Sequence, residues 1–234
     1  MFVYEPVSGA KILIHLHGFA SSVRSSKVEV LRDLSAKRKT FSLFAMDMDY
    51  QSTTTTKTIQ VLDALVKGFK DKHTHVLLSG SSHGAYVILN YLKVFGGEHI
   101  NGVILFAPSY STLHLILAQE EREKYQRWLK GEEPLRIKEC ETGTELLINK
   151  DFAKDILEKG YEVIKGKEVL FPKNPPTEMF IFHGTEDEMV PIDYSRTFVE
   201  HVSVKRYLEV EDDHRLTKTF RNLIEDEKLF DLFD

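Results

Sequence analysis

Gly80-Ser81-Ser82-His83-Gly84 is the stretch from which the rest of this chain can be read. Before it runs His75-Val76-Leu77-Leu78-Ser79, short and apolar. After it runs Ala85-Tyr86-Val87-Ile88-Leu89-Asn90-Tyr91-Leu92, whose apolar spacing suits a buried helix. A strand, a tight turn and a helix with serine at the centre of G-x-S-x-G describe a sharp elbow, in which strain lifts a nucleophilic hydroxyl clear of a sheet. Glycine fits positions 80 and 84 because strand and helix approach so closely there that a side chain would collide. Ser82 is the candidate nucleophile. Ser81 is the neighbouring alternative, but only Ser82 has a glycine two residues away on each side.

Outward from the elbow, strands and helices alternate. Towards the N-terminus, Phe41 to Met46 and Lys11 to Leu16 are apolar runs of the kind that parallel strands covered on both faces require. Ile59 to Phe69 and about Ser26 to Lys37 read as helices, and the threonine run Thr53 to Thr56 as loop and helix N-cap. Met1 to Pro6 reads as a short edge strand and Ser8-Gly9 as a turn. Towards the C-terminus, Gly102 to Phe106, Met179 to Phe182 and Lys205 to Val210 are further strands, with a helix to about Val202 and an amphipathic helix running to Phe233. The alternation predicts an α/β fold, a mostly parallel, doubly wound sheet with helices on both sides. Ser109 to Pro176 breaks the rhythm. It is too long for a simple connection and reads as a small helical cap, with one helix in the charged run Gln119 to Lys130 and another over Lys150 to Lys159. Trp128, the only tryptophan, is read as cap packing ahead of a substrate wall.

Three chemistry-bearing residues follow strands. Ser82 sits in the elbow, Asp187 in the turn after Met179 to Phe182, and His214 after Lys205 to Val210. Serine acyl transfer needs an imidazole to take the hydroxyl proton and a carboxylate to orient that imidazole, and these residues supply each part once. His15 and His17 share a strand face, but no third ligand stands at metal spacing, so neither a metal nor a cofactor is expected. Arg24 and Lys27 are read as a solvated helix face rather than contacts to an anionic substrate.

The 234 residues, 42% of them hydrophobic, suffice for a single domain, residues 1–234, carrying the 109–176 insertion. Thirty-one Lys and Arg against 36 Asp and Glu give a formal charge of −5, which argues against a nucleic-acid partner. A single cysteine, Cys140, the absence of a signal-like N-terminus and the absence of a span-length apolar run lead to the expectation of a soluble cytoplasmic protein.

In these motifs the chain resembles the α/β-hydrolase superfamily, and within it small serine esterases and acyl thioesterases, including the YqiA-like esterases. The resemblance lies in His17-Gly18-Phe19-Ala20-Ser21-Ser22 through Lys27, in Gly80 to Gly84, in His183-Gly184 through Asp187 to Val190-Pro191, and partly in Asp212-Asp213-His214-Arg215. It implies a Ser82, His214, Asp187 triad acting on a small-molecule ester or thioester. It further implies an oxyanion hole formed by the backbone N–H groups of Phe19 and His83. The reading is a carboxylic-ester hydrolase, with an acyl-thioester hydrolase or a non-catalytic binding protein of the same fold as alternatives. Two departures stand out. Asp212 replaces a glycine common in relatives, and Asp47-Met48-Asp49-Tyr50 replaces a Gly-rich turn after the third strand.

Overall fold

Apolar runs with no polar side, such as Gly102–Phe106, buried at every position, can be stable only as inner strands with cover above and below. In the computed structural model, which describes residues 1–7, 11–111, 122–226 and 229, these runs form one seven-stranded sheet. Its strands are β1 (Phe2–Glu5), β2 (Lys11–Leu16), β3 (Ser42–Met46), β4 (His75–Ser81), β5 (Gly102–Phe106), β10 (Glu178–Gly184) and β11 (Arg206–Val210), in the order β1-β3-β2-β4-β5-β10-β11. All neighbours are parallel except β1, which pairs antiparallel with β3 at one edge.

Alternation along β2 divides the core. Ile12, Ile14 and Leu16 pack with α2 (Thr55–Lys70), α3 (His83–Phe95) and Phe198 of α6 (Asp193–His201). Leu13 faces the other way and joins Leu31 and Leu34 of α1 (Ser26–Arg38) with Phe220, Leu223 and Ile224 of α7 (Phe220–Asp226). This is the doubly wound arrangement that the alternating pattern predicts. The threonine run behaves as read, Thr54 capping α2 by accepting from the Lys57 N–H.

Between β5 and β10 lie α4 (Arg122–Leu129), the antiparallel pair β6 (Leu135–Lys138) and β7 (Glu145–Ile148), α5 (Lys150–Lys159), and the two-residue strands β8 (Ile164–Lys165) and β9 (Glu168–Val169). The two small sheets stand beside the helices expected there. Asn149 caps α5 by accepting from the Asp151 N–H. Trp128 is fully buried, stacked on Phe152 and donating Nε1–H to the Asn149 carbonyl at 3.0 Å. The turn read at Ser8-Gly9, the start of the Gln119 run and the chain end beyond Leu229 lie outside the described residues. No described helix is long and apolar enough to cross a membrane.

Candidate active site

Close approach of β4 and α3 dictates the elbow. A Cβ on Gly80 would stand 2.5 Å from the Ala85 nitrogen, and one on Gly84 would stand 2.2 Å from the Leu16 carbonyl oxygen. No side chain fits at either place, which ties the elbow to the end of β2. Ser82 takes φ 51° and ψ −113°, a strained conformation for a residue with a side chain. Its backbone is pinned on both sides, with the N–H donating to the Phe106 carbonyl at 3.0 Å and the carbonyl accepting from the Ser109 N–H at 3.1 Å. Ser82 is half-buried, whereas the Ser81 hydroxyl is buried. The next amide, that of His83, begins α3.

The turn after β10 brings Asp187 to His214. Asp187 Oδ2 lies 2.7 Å from His214 Nδ1 and 3.0 Å from His183 Nε2, while Oδ1 accepts from the N–H groups of Met189 at 2.9 Å and Val190 at 2.8 Å. Burial opposes ionisation of this carboxyl, but the bonds from His183 and His214 outweigh it and hold its pKa well below the ordinary carboxylate range. An ionised Asp187 fixes the Nδ1–H tautomer of His214 and leaves Nε2 as a proton acceptor. Behind it runs a buried chain. His183 Nδ1 lies 2.6 Å from Ser195 Oγ, which lies 2.8 Å from the Tyr110 hydroxyl. With Nε2–H of His183 donating to Asp187 and to the Val190 carbonyl at 2.9 Å, the order of donation is Tyr110 to Ser195 to His183 to Asp187.

Asp212 and Asp213 do other work. Asp212, fully buried, accepts the N–H groups of Lys218 and Thr219 and the Thr219 hydroxyl on Oδ2. It thereby organises the loop that carries His214. Asp213 is exposed and accepts only the Arg215 N–H, at 2.8 Å.

The loop after β2 is held by its carbonyl. Gly18 O accepts from His17 Nδ1 at 2.8 Å, from the Tyr50 hydroxyl at 3.0 Å and from the Ser21 N–H at 3.3 Å. A trans peptide points its N–H opposite to its C=O, so three donors on Gly18 O fix the direction of the Phe19 N–H. His17 donates from Nδ1 to Gly18 O, and its Nε2 lies 2.9 Å from the Met48 nitrogen and 3.1 Å from Asp47 Oδ1, which together hold the ring in place. The sequence reading did not assign Tyr50 and His17 to the holding of this loop. Tyr50 belongs to the departure Asp47 to Tyr50, the place where a Gly-rich wall was missing.

Ser82, His214, Phe19 and His83 line one cavity of about 730 Å³, and Asp187 stands behind His214. His83 is buried against Phe19, Tyr50, Tyr86 and Phe152, and burial, with His17 nearby, lowers its pKa to about 3. Its ring is therefore neutral. Tyr125, Ile137, Lys138, Cys140 and Glu141 bring the 109–176 segment to the cavity wall, where the Cys140 N–H donates to the Ala20 carbonyl at 2.7 Å and Ser21 Oγ donates to Glu141 at 2.6 Å. Trp128 is not part of that wall.

This sheet, the elbow at the end of its fourth strand and the placement of Asp187 and His214 after later strands define the α/β-hydrolase fold. Solved structures agree. A protein of Agrobacterium vitis S4 superposes with a TM-score of 0.73 at 18% identity, over 96% of this chain and 91% of that one. Est1E of Butyrivibrio proteoclasticus, solved with ferulic acid bound, gives 0.72 at 16% identity over 99% and 94%. Mouse alpha/beta hydrolase domain-containing protein 10 gives 0.70 at 16% over 100% and 94%. The chain belongs to the uncharacterised protein family UPF0227, whose model matches residues 12–230. No curated protein matches the sequence.

Proposed function

We propose that this protein is a serine hydrolase of carboxylic esters. Ser82 attacks the acyl carbon, His214 Nε2 takes its proton, and Asp187 holds the imidazole and stabilises its protonated form. The oxyanion takes hydrogen bonds from the Phe19 and His83 amides, an arrangement whose donors are worth roughly 3 kcal/mol each. His214 then returns the proton to the leaving oxygen, and water, activated by the same imidazole, releases the acyl group. The observation that carries the reading is the 2.7 Å contact between His214 Nδ1 and Asp187 Oδ2, made beside the cavity that Ser82 lines. A carboxylate bonded to a histidine at the wall of a cavity, with a serine in an elbow on the same wall, favours this reading over a binding protein.

In this reading residues 109–176 are a cap that shapes the cavity and leaves the chemistry to the sheet, and the protein acts in the cytoplasm on small molecules. An acyl thioester would be cleaved by the same residues. The test is a fluorophosphonate probe beside a p-nitrophenyl ester series and acyl-CoA thioesters. Wild type and Ser81→Ala should be labelled and active, and Ser82→Ala should be neither. Activity retained in Ser82→Ala would overturn the assignment, and a higher kcat/KM for thioesters than for matched esters would move the substrate class.

A further inference from the structure

The cavity has a polar end that the triad does not use. His15 is 1% exposed, with Nδ1 2.8 Å from Ser79 Oγ and Nε2 without a hydrogen-bond partner. The hydroxyls of Ser81 and Ser109 are also buried and unpartnered, and all three residues line the cavity. Leaving a buried polar atom unpaired is costly, so a wall that keeps three of them is suited to a ligand that supplies their partners.

The start of α1 lines the same cavity, near enough for the Lys27 charge to act on His15. Ser25, Ser26 and Lys27 line the cavity, and Ser25 makes no side-chain cap, so the positive end of the helix stays open to a ligand. Lys27, read from sequence as part of a solvated helix face, is half-buried; its Nζ donates to the Arg215 carbonyl on the exposed side and sits 5.6 Å from the Phe220 ring centroid. Lys27, Lys138 and Arg215 bring three cations to the lining against Glu141 and Glu188. Burial and the neighbouring Glu139 raise the pKa of Glu141. The charges facing Lys27 are Asp213, Asp212, Glu141 and Arg215, and burial outweighs the three carboxylates to lower its pKa to about 8. His15, held near 3 by burial, His17 and Lys27, stays neutral and can donate from Nε2 when Ser79 donates to Nδ1.

We propose that this end of the cavity is a subsite for an anionic group, a carboxylate or a phosphate, carried on the leaving group of the substrate. The proposal rests on the esterase reading for its side of the scissile bond. The leaving oxygen takes its proton from His214, and Lys27 is bonded to the carbonyl of the next residue, Arg215, which puts the subsite on the leaving-group side.

The experiment compares the butyryl esters of phenol, 3-hydroxybenzoate and 3-hydroxyphenyl phosphate on the full chain. One or both anionic esters should exceed the phenyl ester in kcat/KM by about ten- to a hundredfold, the worth of one charge-assisted hydrogen bond, and which one does identifies carboxylate or phosphate. Lys27→Met should bring that ratio towards one, whatever loss it also causes through the His214 loop, and Lys27→Arg should keep it above one. The ratio should fall as pH rises through about 8, because Lys27 is charged below that value and neutral above it. A wild-type ratio of one or less, or a ratio that survives Lys27→Met, overturns the subsite and leaves the esterase standing. If none of the esters is cleaved the esterase reading fails, and calorimetric titration with benzoate and inorganic phosphate decides the subsite. Binding by wild type that Lys27→Met loses supports it, and equal or absent binding overturns it.

Discussion

Asp187→Asn exchanges one oxygen for an NH₂ group at the most heavily used carboxylate of the site. Asp187 accepts four hydrogen bonds, two on each oxygen, and an amide can reproduce only half of that pattern. With the amide oxygen towards Met189 and Val190, the NH₂ group faces His214 Nδ1 and His183 Nε2–H. It then donates to His214 Nδ1, which moves the ring proton to Nε2 and removes the acceptor that Ser82 needs. With the amide turned over, the oxygen serves both histidines, but NH₂ meets the Met189 and Val190 N–H groups in a buried turn. Each buried donor left unpaired costs about 1–3 kcal/mol, so this arrangement loses about 2–6 kcal/mol, or about 4–24 °C in Tm for a chain of this size. The first arrangement is the cheaper, since it leaves only His183 Nε2–H opposed and that atom keeps the Val190 carbonyl. Turnover of p-nitrophenyl butyrate should therefore fall by about 10⁴, the cost of a wrong tautomer in a triad of this type, with a loss in Tm at the lower end of that range. Asp213→Asn should stay within a few fold of wild type, because its carboxylate accepts one exposed N–H. Turnover within tenfold of wild type in Asp187→Asn, or collapse in Asp213→Asn, would refute the assignment of the orienting carboxylate.

Tyr50→Phe removes one of three donors from Gly18 O and should lower kcat by about tenfold, short of the 10²–10³ for losing an oxyanion donor outright, with KM little changed. A lower Tm with intact kcat would make Tyr50 a packing residue only. Trp128→Ala should cost about 3–5 kcal/mol of stability and reduce activity in equal proportion across an acyl-chain series, whereas Tyr125→Ala, at the cavity wall, should change the chain-length preference. Unequal losses in Trp128→Ala would show that its role extends to the substrate. Because the folded pKa of Asp187 is depressed, its stabilisation is complete above the unfolded value of about 3.9 and is lost as pH falls below it. Melting curves between pH 2 and 6 should show a component of acid destabilisation in wild type that Asp187→Asn lacks.

The elbow was legible because one of its causes is local. Gly80 is required by the Gly84 and Ala85 backbone, a contact encoded within six residues, whereas Gly84 is required by the Leu16 carbonyl of β2, which the motif carries without showing its partner. The buried strands were legible too, since an apolar run such as Val103 to Phe106 has no polar face to show water. The hairpin β6–β7 was missed although Leu135-Arg136-Ile137-Lys138 alternates with period two. Four residues of alternation are a weak signal beside the helical charge pattern of the preceding segment. Asp212 was legible as a departure but not as a solution. A carboxylate accepting from Lys218 and Thr219 does for the loop, with side-chain bonds, what backbone freedom at a glycine would do otherwise.

Lys27 shows the limit most clearly. On its own helix it looks like one more charge among Arg24, Glu29 and Arg32, and helix periodicity alone cannot say that the loop after β11 will pass over it. The partner that holds its Nζ, the Arg215 carbonyl, is 188 positions away in sequence and is a backbone atom, so no residue type announces it. Tyr50 meets Gly18 in the same way, side chain to carbonyl, across 32 positions. In both cases the side chain is visible in the sequence and its acceptor is not, because a carbonyl is common to every residue and only the fold selects which one is left without a partner. The groups proposed to perform the chemistry are specified by type, and these can be found by motif. The groups that aim them bind to the backbone, and they emerge only once the loops after β2, β3 and β11 are brought to one end of the sheet.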